Sequence, residues 1–113
     1  MKEQDLETLF IKVKEAHQKR VDKGLVAPIE YNEQAGLEFA YETLEEAGEY
    51  VREFPNRKAW KAHTPVDKSL ALGEGVDTLI MLIISLSYLD INSTDLYEGV
   101  LTKLGVKRED WLA

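Results

Sequence analysis

The sequence predicts an all-α protein, a four-helix bundle formed by a single domain over residues 1–113. Three observations predict it. Apolar residues recur at three- and four-residue spacing through most of the chain, helix-starting and helix-ending residues punctuate it at matching intervals, and no segment reads as a strand. The 113 residues leave room for one core only. Their make-up, 44% hydrophobic and 31% charged, is that of a folded globular chain.

The first helix is predicted from about Gln4 to Asp22, where Leu6, Leu9, Phe10, Val13, Ala16 and Val21 make one apolar stripe. Gly24 ends it, and a turn runs through Pro28 to Asn32. The second covers roughly Glu33 to Phe54 and stops before Pro55, because the residue preceding a proline is pushed out of the helical region. A polar loop from Pro55 to His63 follows. Thr64 is expected to cap the third helix, with Pro65 at its first position and Asp67 completing a capping box. That helix should run to about Leu89. Its segment Leu79-Ile80-Met81-Leu82-Ile83-Ile84 is apolar all round and marks it as the buried central helix. Asn92 or Ser93 caps the fourth, which ends near Leu104 with Gly105 as its stop, and Trp111 is expected to anchor the tail.

A formal net charge of −7 argues against a general nucleic-acid binder, which relies on a basic footprint. An anionic small substrate remains compatible if metal ions neutralise local carboxylates. The absence of cysteine excludes thiolate nucleophiles, disulfides and cysteine–zinc sites. The first residues carry no apolar leader, and Leu79–Ile84 falls short of a membrane span, so a cytoplasmic protein without membrane partners is expected. A core this modest also makes self-association the expectation.

The chemistry lies in two acidic pairs at one spacing. The second helix carries Glu45-Glu46-Ala47-Gly48-Glu49, and the third carries Glu74-Gly75-Val76-Asp77. Residues three apart share a helix face, so Glu46 points with Glu49 and Glu74 with Asp77. Side by side, the two helices would bring four carboxylates to one point, a donor set suited to Mg²⁺ or Mn²⁺. Glu74 and Asp77 continue the face of Leu70, Met81 and Tyr88 on a helix expected to be buried. Buried ionised carboxylates need compensation, and the third helix has no basic residue after Lys68. On the second helix, Glu38, Glu42, Glu46, Glu49 and Glu53 also read as a solvated acidic stripe. Gly73 and Gly75, flanking Glu74, read either as room for a close neighbour or as tolerated packing positions.

The pattern Glu-Glu-x-x-Glu, then 24 residues, then Glu-x-x-Asp resembles the MazG-like all-α nucleoside triphosphate pyrophosphohydrolases across residues 33 to 105. The segment Arg57-Lys58-Ala59-Trp60-Lys61, with Asp67, Glu74, Val76, Asp77 and Ile84-Ser85-Leu86, is similar to the dimeric dUTPase branch in particular. The resemblance implies the all-α pyrophosphatase fold, with Mg²⁺ ligated by Glu46, Glu49, Glu74 and Asp77. It further implies that Glu45 helps hold a second ion or orients the attacking water. The reaction implied is attack of water at the α-phosphorus, giving a nucleoside monophosphate and pyrophosphate. A homodimer or a dimer of dimers is implied as well.

The physical logic agrees, since phosphoryl chemistry needs charge neutralisation and positioning more than covalent catalysis. For the polyphosphate, Arg57, Lys58, Lys61 and Lys68 cluster around the second loop, and Lys103 stands where relatives carry a phosphate-binding lysine. Each also reads as an ordinary solvated cation. Trp60 reads as a base-stacking residue or as a cover for the bundle end or a dimer contact. His17 is expected at the edge of the core, and His63 near the cap of the third helix. The expected function is house-cleaning of dUTP, dCTP or a non-standard nucleotide. Phosphoribosyl-ATP cleavage and a non-enzymatic helical interaction protein are the alternatives.

Overall fold

Helix signals in the sequence become helices in the structure, a computed structural model that describes residues 2–55 and 65–111, with the backbone alone at 111. Five helices run through them: α1 (Glu3–Asp22), α2 (Glu33–Arg52), α3 (Lys68–Tyr88), α4 (Ser93–Leu104) and a short α5 (Arg108–Trp111). No strand occurs among the described residues, so the chain is all-α. The bounds of α1, α2 and α4 fall within two residues of those predicted, while α5 has no counterpart in the sequence reading.

The ends are set by local chemistry. Asn32 accepts a hydrogen bond from Ala35 N to open α2, and Asn92 with Asp95 forms a reciprocal capping box at α4. The start of α3 departs from expectation. Asp67 is itself the cap, accepting from Ser69 N at 3.0 Å and Leu70 N at 3.1 Å, and the helix begins at Lys68. Pro65 therefore precedes the helix, and Thr64 lies outside the described residues. An aspartate beside the first turn satisfies two orphan amides directly, which makes an earlier start unnecessary. Three helices stop the same way, with a left-handed residue after the last turn: Gly24, Asp90 and Gly105. In each, the next amide returns to the carbonyl five residues back, from Leu25 to Arg20, Ile91 to Leu86 and Val106 to Leu101.

The helices α2 and α3 lie along one another, and α1 packs on α3 and on α4. Phe10 and Val13 of α1, Phe39 of α2, Ile83, Ile84 and Tyr88 of α3, and Tyr97 and Leu101 of α4 form the core. At its centre the Tyr88 hydroxyl donates to Ala27 O at 2.5 Å and meets His17 Nε2 at 2.9 Å. His17 stands edge-on to both Tyr88 and Phe39. It is 2% exposed, a fully buried histidine rather than one at the edge of the core. Gly36 permits the tight α2–α3 crossing, since a Cβ there would lie 3.2 Å from Leu89 Cδ2, and Ser85 Oγ donates to Gly36 O at 2.7 Å. At the other end of the chain Arg108 pairs with Glu3 and Glu98 and lies over the Tyr97 ring, fixing α5 to α1 and α4.

The expectation of a helix buried throughout holds for one end of α3 only. Ile83, Ile84, Ser85, Ser87 and Tyr88 are buried, but Leu70, Leu72, Val76, Leu79 and Leu82 are exposed. The core formed with α1 and α4 gathers at the C-terminal end, so much of the α2–α3 hairpin carries apolar surface into solvent. A radius of gyration of 16.9 Å expresses that extension, against about 13 Å for a compact chain of this length.

Candidate metal centre

The antiparallel run of α2 and α3 brings the middle of one helix beside the first half of the other. Glu46, Glu74 and Asp77 meet there, each offering an oxygen within 4.8 Å of the other two. Glu46 and Glu74 are half-buried, and their Oε2 atoms are fully enclosed with no hydrogen-bond partner. Asp77 is exposed, which removes burial as the reason for expecting a counter-charge at that residue. The reason now rests on convergence and on the two unpartnered oxygens.

Glu49 stands beside the cluster. Partial burial, then the nearby Glu49 carboxyl, then the charge of Asp77 hold the Glu46 and Glu74 carboxyls above the usual carboxylate range. Glu53 adds to this at Glu74. Among the described residues no lysine or arginine lies within 4 Å of these carboxylates, the ion pairs being Lys12–Glu15 and the two made by Arg108. The donor set is all oxygen, unsaturated and anionic, and it fits a hard divalent cation.

The other predicted residues fall elsewhere. Glu45 is exposed and borders a separate hollow with Tyr41, Glu42, Leu44, Gly48 and Arg52. Its position follows from the roughly 100° step between consecutive helical residues. Lys68 is exposed at the first turn of α3 beside a hollow lined by Tyr50, Phe54 and Leu72. Lys103 is exposed on α4, which packs chiefly on α1. Arg57, Lys58, Trp60, Lys61 and His63 lie outside the described residues. A Cβ at Gly75 would only touch the Tyr50 ring at 3.8 Å, and one at Gly73 would meet nothing within 4 Å. Neither glycine is required by packing among the described residues.

Sequence reasoning missed Arg20, which borders one cavity between α1 and α3 and a second lined by Glu38, Phe39 and Glu42 of α2, and it set His17 at the edge of the core rather than inside it. The signal for His17 was its place four residues after Val13 on the apolar stripe of α1. Compared with protein-family models, curated proteins and solved structures, the chain matches none.

Proposed function

We propose that this protein is a Mg²⁺-dependent hydrolase that cleaves nucleoside triphosphates to the monophosphate and pyrophosphate. The observation that carries the reading is the meeting of Glu46, Glu74 and Asp77 around two enclosed oxygens that have no partner. Two unpaired carboxylate oxygens held together are costly unless a cation joins them. Bound there, Mg²⁺ supplies charge neutralisation for a polyphosphate and acidifies the attacking water. Mn²⁺ is compatible with the same donors.

In this scheme Glu46, Glu74 and Asp77 hold the ion. Glu49, beside both half-buried carboxyls, is placed to take a proton from water attacking the α-phosphorus. Glu45, at its separate hollow, is given no step. The resemblance read from the sequence favours a pyrimidine or non-standard deoxynucleotide as substrate, ahead of phosphoribosyl-ATP.

Self-association belongs to the same reading. Leu37, Tyr41, Leu44 and Val51 form an exposed stripe at spacings of four, three and seven residues on α2, and Leu72, Val76 and Leu79 form another at four and three on α3. Exposed apolar stripes of this kind mark interaction faces, and a second copy is the partner we assign to them. The same stripes favour the second reading, a helical interaction protein without catalysis.

Thermal melting with and without Mg²⁺ separates the two. A cation bound only by the folded state stabilises it by about 2.7 kcal/mol at a hundred times its Kd. Asp77→Asn is expected to keep the fold, abolish that shift and reduce pyrophosphate release across a nucleotide panel at least a hundredfold. Full activity in Asp77→Asn, or no Mg²⁺-dependent shift in the wild type, would rule the centre out.

A further inference from the structure

The ring of His17 is enclosed where α1 meets α2 and α3, and its hydrogen bonds can be assigned proton by proton. The Ala27 carbonyl can only accept, so the Tyr88 hydroxyl, 2.5 Å away, gives its one proton there. Towards His17 Nε2, at 2.9 Å, that hydroxyl is left as an acceptor. Nε2 therefore carries the ring proton and Nδ1 the lone pair. Nδ1 is sealed from solvent and has no hydrogen-bond partner. A phenylalanine would fill this space without leaving a polar atom unpaired, and an enclosed unpaired atom lowers stability. What the histidine adds is the capacity to take up a proton.

A proton at Nδ1 would make a buried cation with no acceptor among the described residues. No carboxylate among them lies within 4 Å of the ring nitrogens. On α1, Arg20 stands one turn further along and adds a like charge. From α2, Phe39 meets the ring edge-on, while Glu38 and Glu42 lie with Arg20 around a separate hollow. Glu38 acts on the Tyr88 hydroxyl and not on His17. From α3 come that hydroxyl and the apolar Met81 and Ile84, and α4 adds no charge. The Ala27 carbonyl is already engaged by Tyr88. A charged ring escapes this setting only by reaching water, which means leaving Tyr88.

We propose that His17 is an acid-sensitive latch: a proton taken from water at Nδ1 breaks the His17–Tyr88–Ala27 joint and loosens α1 from the α2–α3 pair. The latch is independent of the carboxylate cluster, since Tyr88 follows Asp77 by eleven residues, roughly 16 Å along the helix. Burial, and after it the Arg20 charge, holds His17 below its ordinary value of 6.5, so the folded chain binds fewer protons there than the unfolded one. This contribution to stability is complete above 6.5 and is lost as pH falls below it. Glu46 and Glu74 act in the opposite sense, and a comparison of chains that share both cancels them.

The test compares urea unfolding of the metal-free wild type and His17→Gln between pH 7.5 and 5.5. Glutamine keeps an N–H for the Tyr88 hydroxyl and cannot titrate. The folding constant of the wild type, divided by that of the variant, is expected to fall roughly threefold or more across this range. A ratio that stays level, or rises, overturns the latch. A second measurement needs no change at position 17. His63→Gln leaves His17 as the one histidine, so its ring nitrogens can be followed by ¹⁵N NMR in urea near the unfolding midpoint. At pH 7 the native ring should carry its proton on Nε2. On acidification the charged ring should appear only together with the ring signals of released Tyr88. A native ring protonated on Nδ1 at pH 7 overturns the proposal even if His17→Gln does not fold. So does one that charges between pH 7 and 5.5 while Tyr88 and Phe39 keep their native shifts.

Discussion

The two ends of α3 both carry large apolar side chains, in opposite surroundings. Ile83, Ile84 and Tyr88 are enclosed by α1, α2 and α4, whereas Leu70, Leu72, Val76 and Leu79 face solvent along with Asp77. By length and composition alone the whole helix could cross a membrane. Its inner end instead forms the core with Phe10, Phe39 and Tyr97. Hydropathy therefore states that a surface must be covered and leaves open what covers it. At one end the cover is the rest of the chain; at the other we assign it to a second copy.

Mutating the two ends separately sharpens this contrast. Ile83→Ala should cost about 2–5 kcal/mol at any protein concentration, because the cavity it leaves sits in a closed core. Denaturant titration at two concentrations measures it. Leu72→Asp, at a side chain 68% exposed, should change the stability of the dilute chain by no more than about 0.5 kcal/mol. It should nevertheless shift sedimentation toward a smaller species, and unchanged sedimentation would remove the outer face from the self-association reading.

The carboxylates at the outer half give the next effect. Glu46 and Glu74 bind protons more tightly folded than unfolded, so the folded chain takes up more protons than the unfolded one. Stability without metal should therefore rise as pH falls through their raised range, the gain being complete below the ordinary value of 4.5. It is lost again as pH rises. Glu74→Gln should raise the metal-free melting midpoint at pH 7, leave it unchanged near pH 4, and abolish the Mg²⁺ response. A midpoint that falls at pH 7 would show that Glu74 is stabilising as a carboxylate. The smallest effect lies at the inner end, where Asp90 holds a φ of 60° that favours glycine. Asp90→Gly should stabilise the chain by up to about 1 kcal/mol in the same titration.

The fold class was legible because α1, α2 and α4 each follow rules that act within a few residues: an apolar period, a capping asparagine, a terminal glycine. The start of α3 was misplaced because Thr64, Pro65 and Asp67 all carry start signals, and only the backbone decides which is used. Convergence of Glu46, Glu74 and Asp77 could be read from spacing once α2 and α3 were taken as neighbours. The exposure of Asp77 could not, because it depends on how far α1 and α4 reach along α3. Arg108 was illegible for the same reason: its partners Glu3 and Glu98 are set by where the tail returns.

Tyr88 joins three stretches of chain at one residue. Its hydroxyl holds the α1–α2 connection at Ala27 and the α1 histidine, and its carbonyl accepts from Asn32 N at 2.8 Å, just before α2. These bonds cannot open one at a time without exposing a ring that is 0% accessible. Amide hydrogens around His17, Asn32 and Tyr88 should therefore exchange together, through one cooperative opening close to global unfolding. Those of the first turns of α3 should exchange independently and sooner, so that the outer half of the helix breathes on a rigid root.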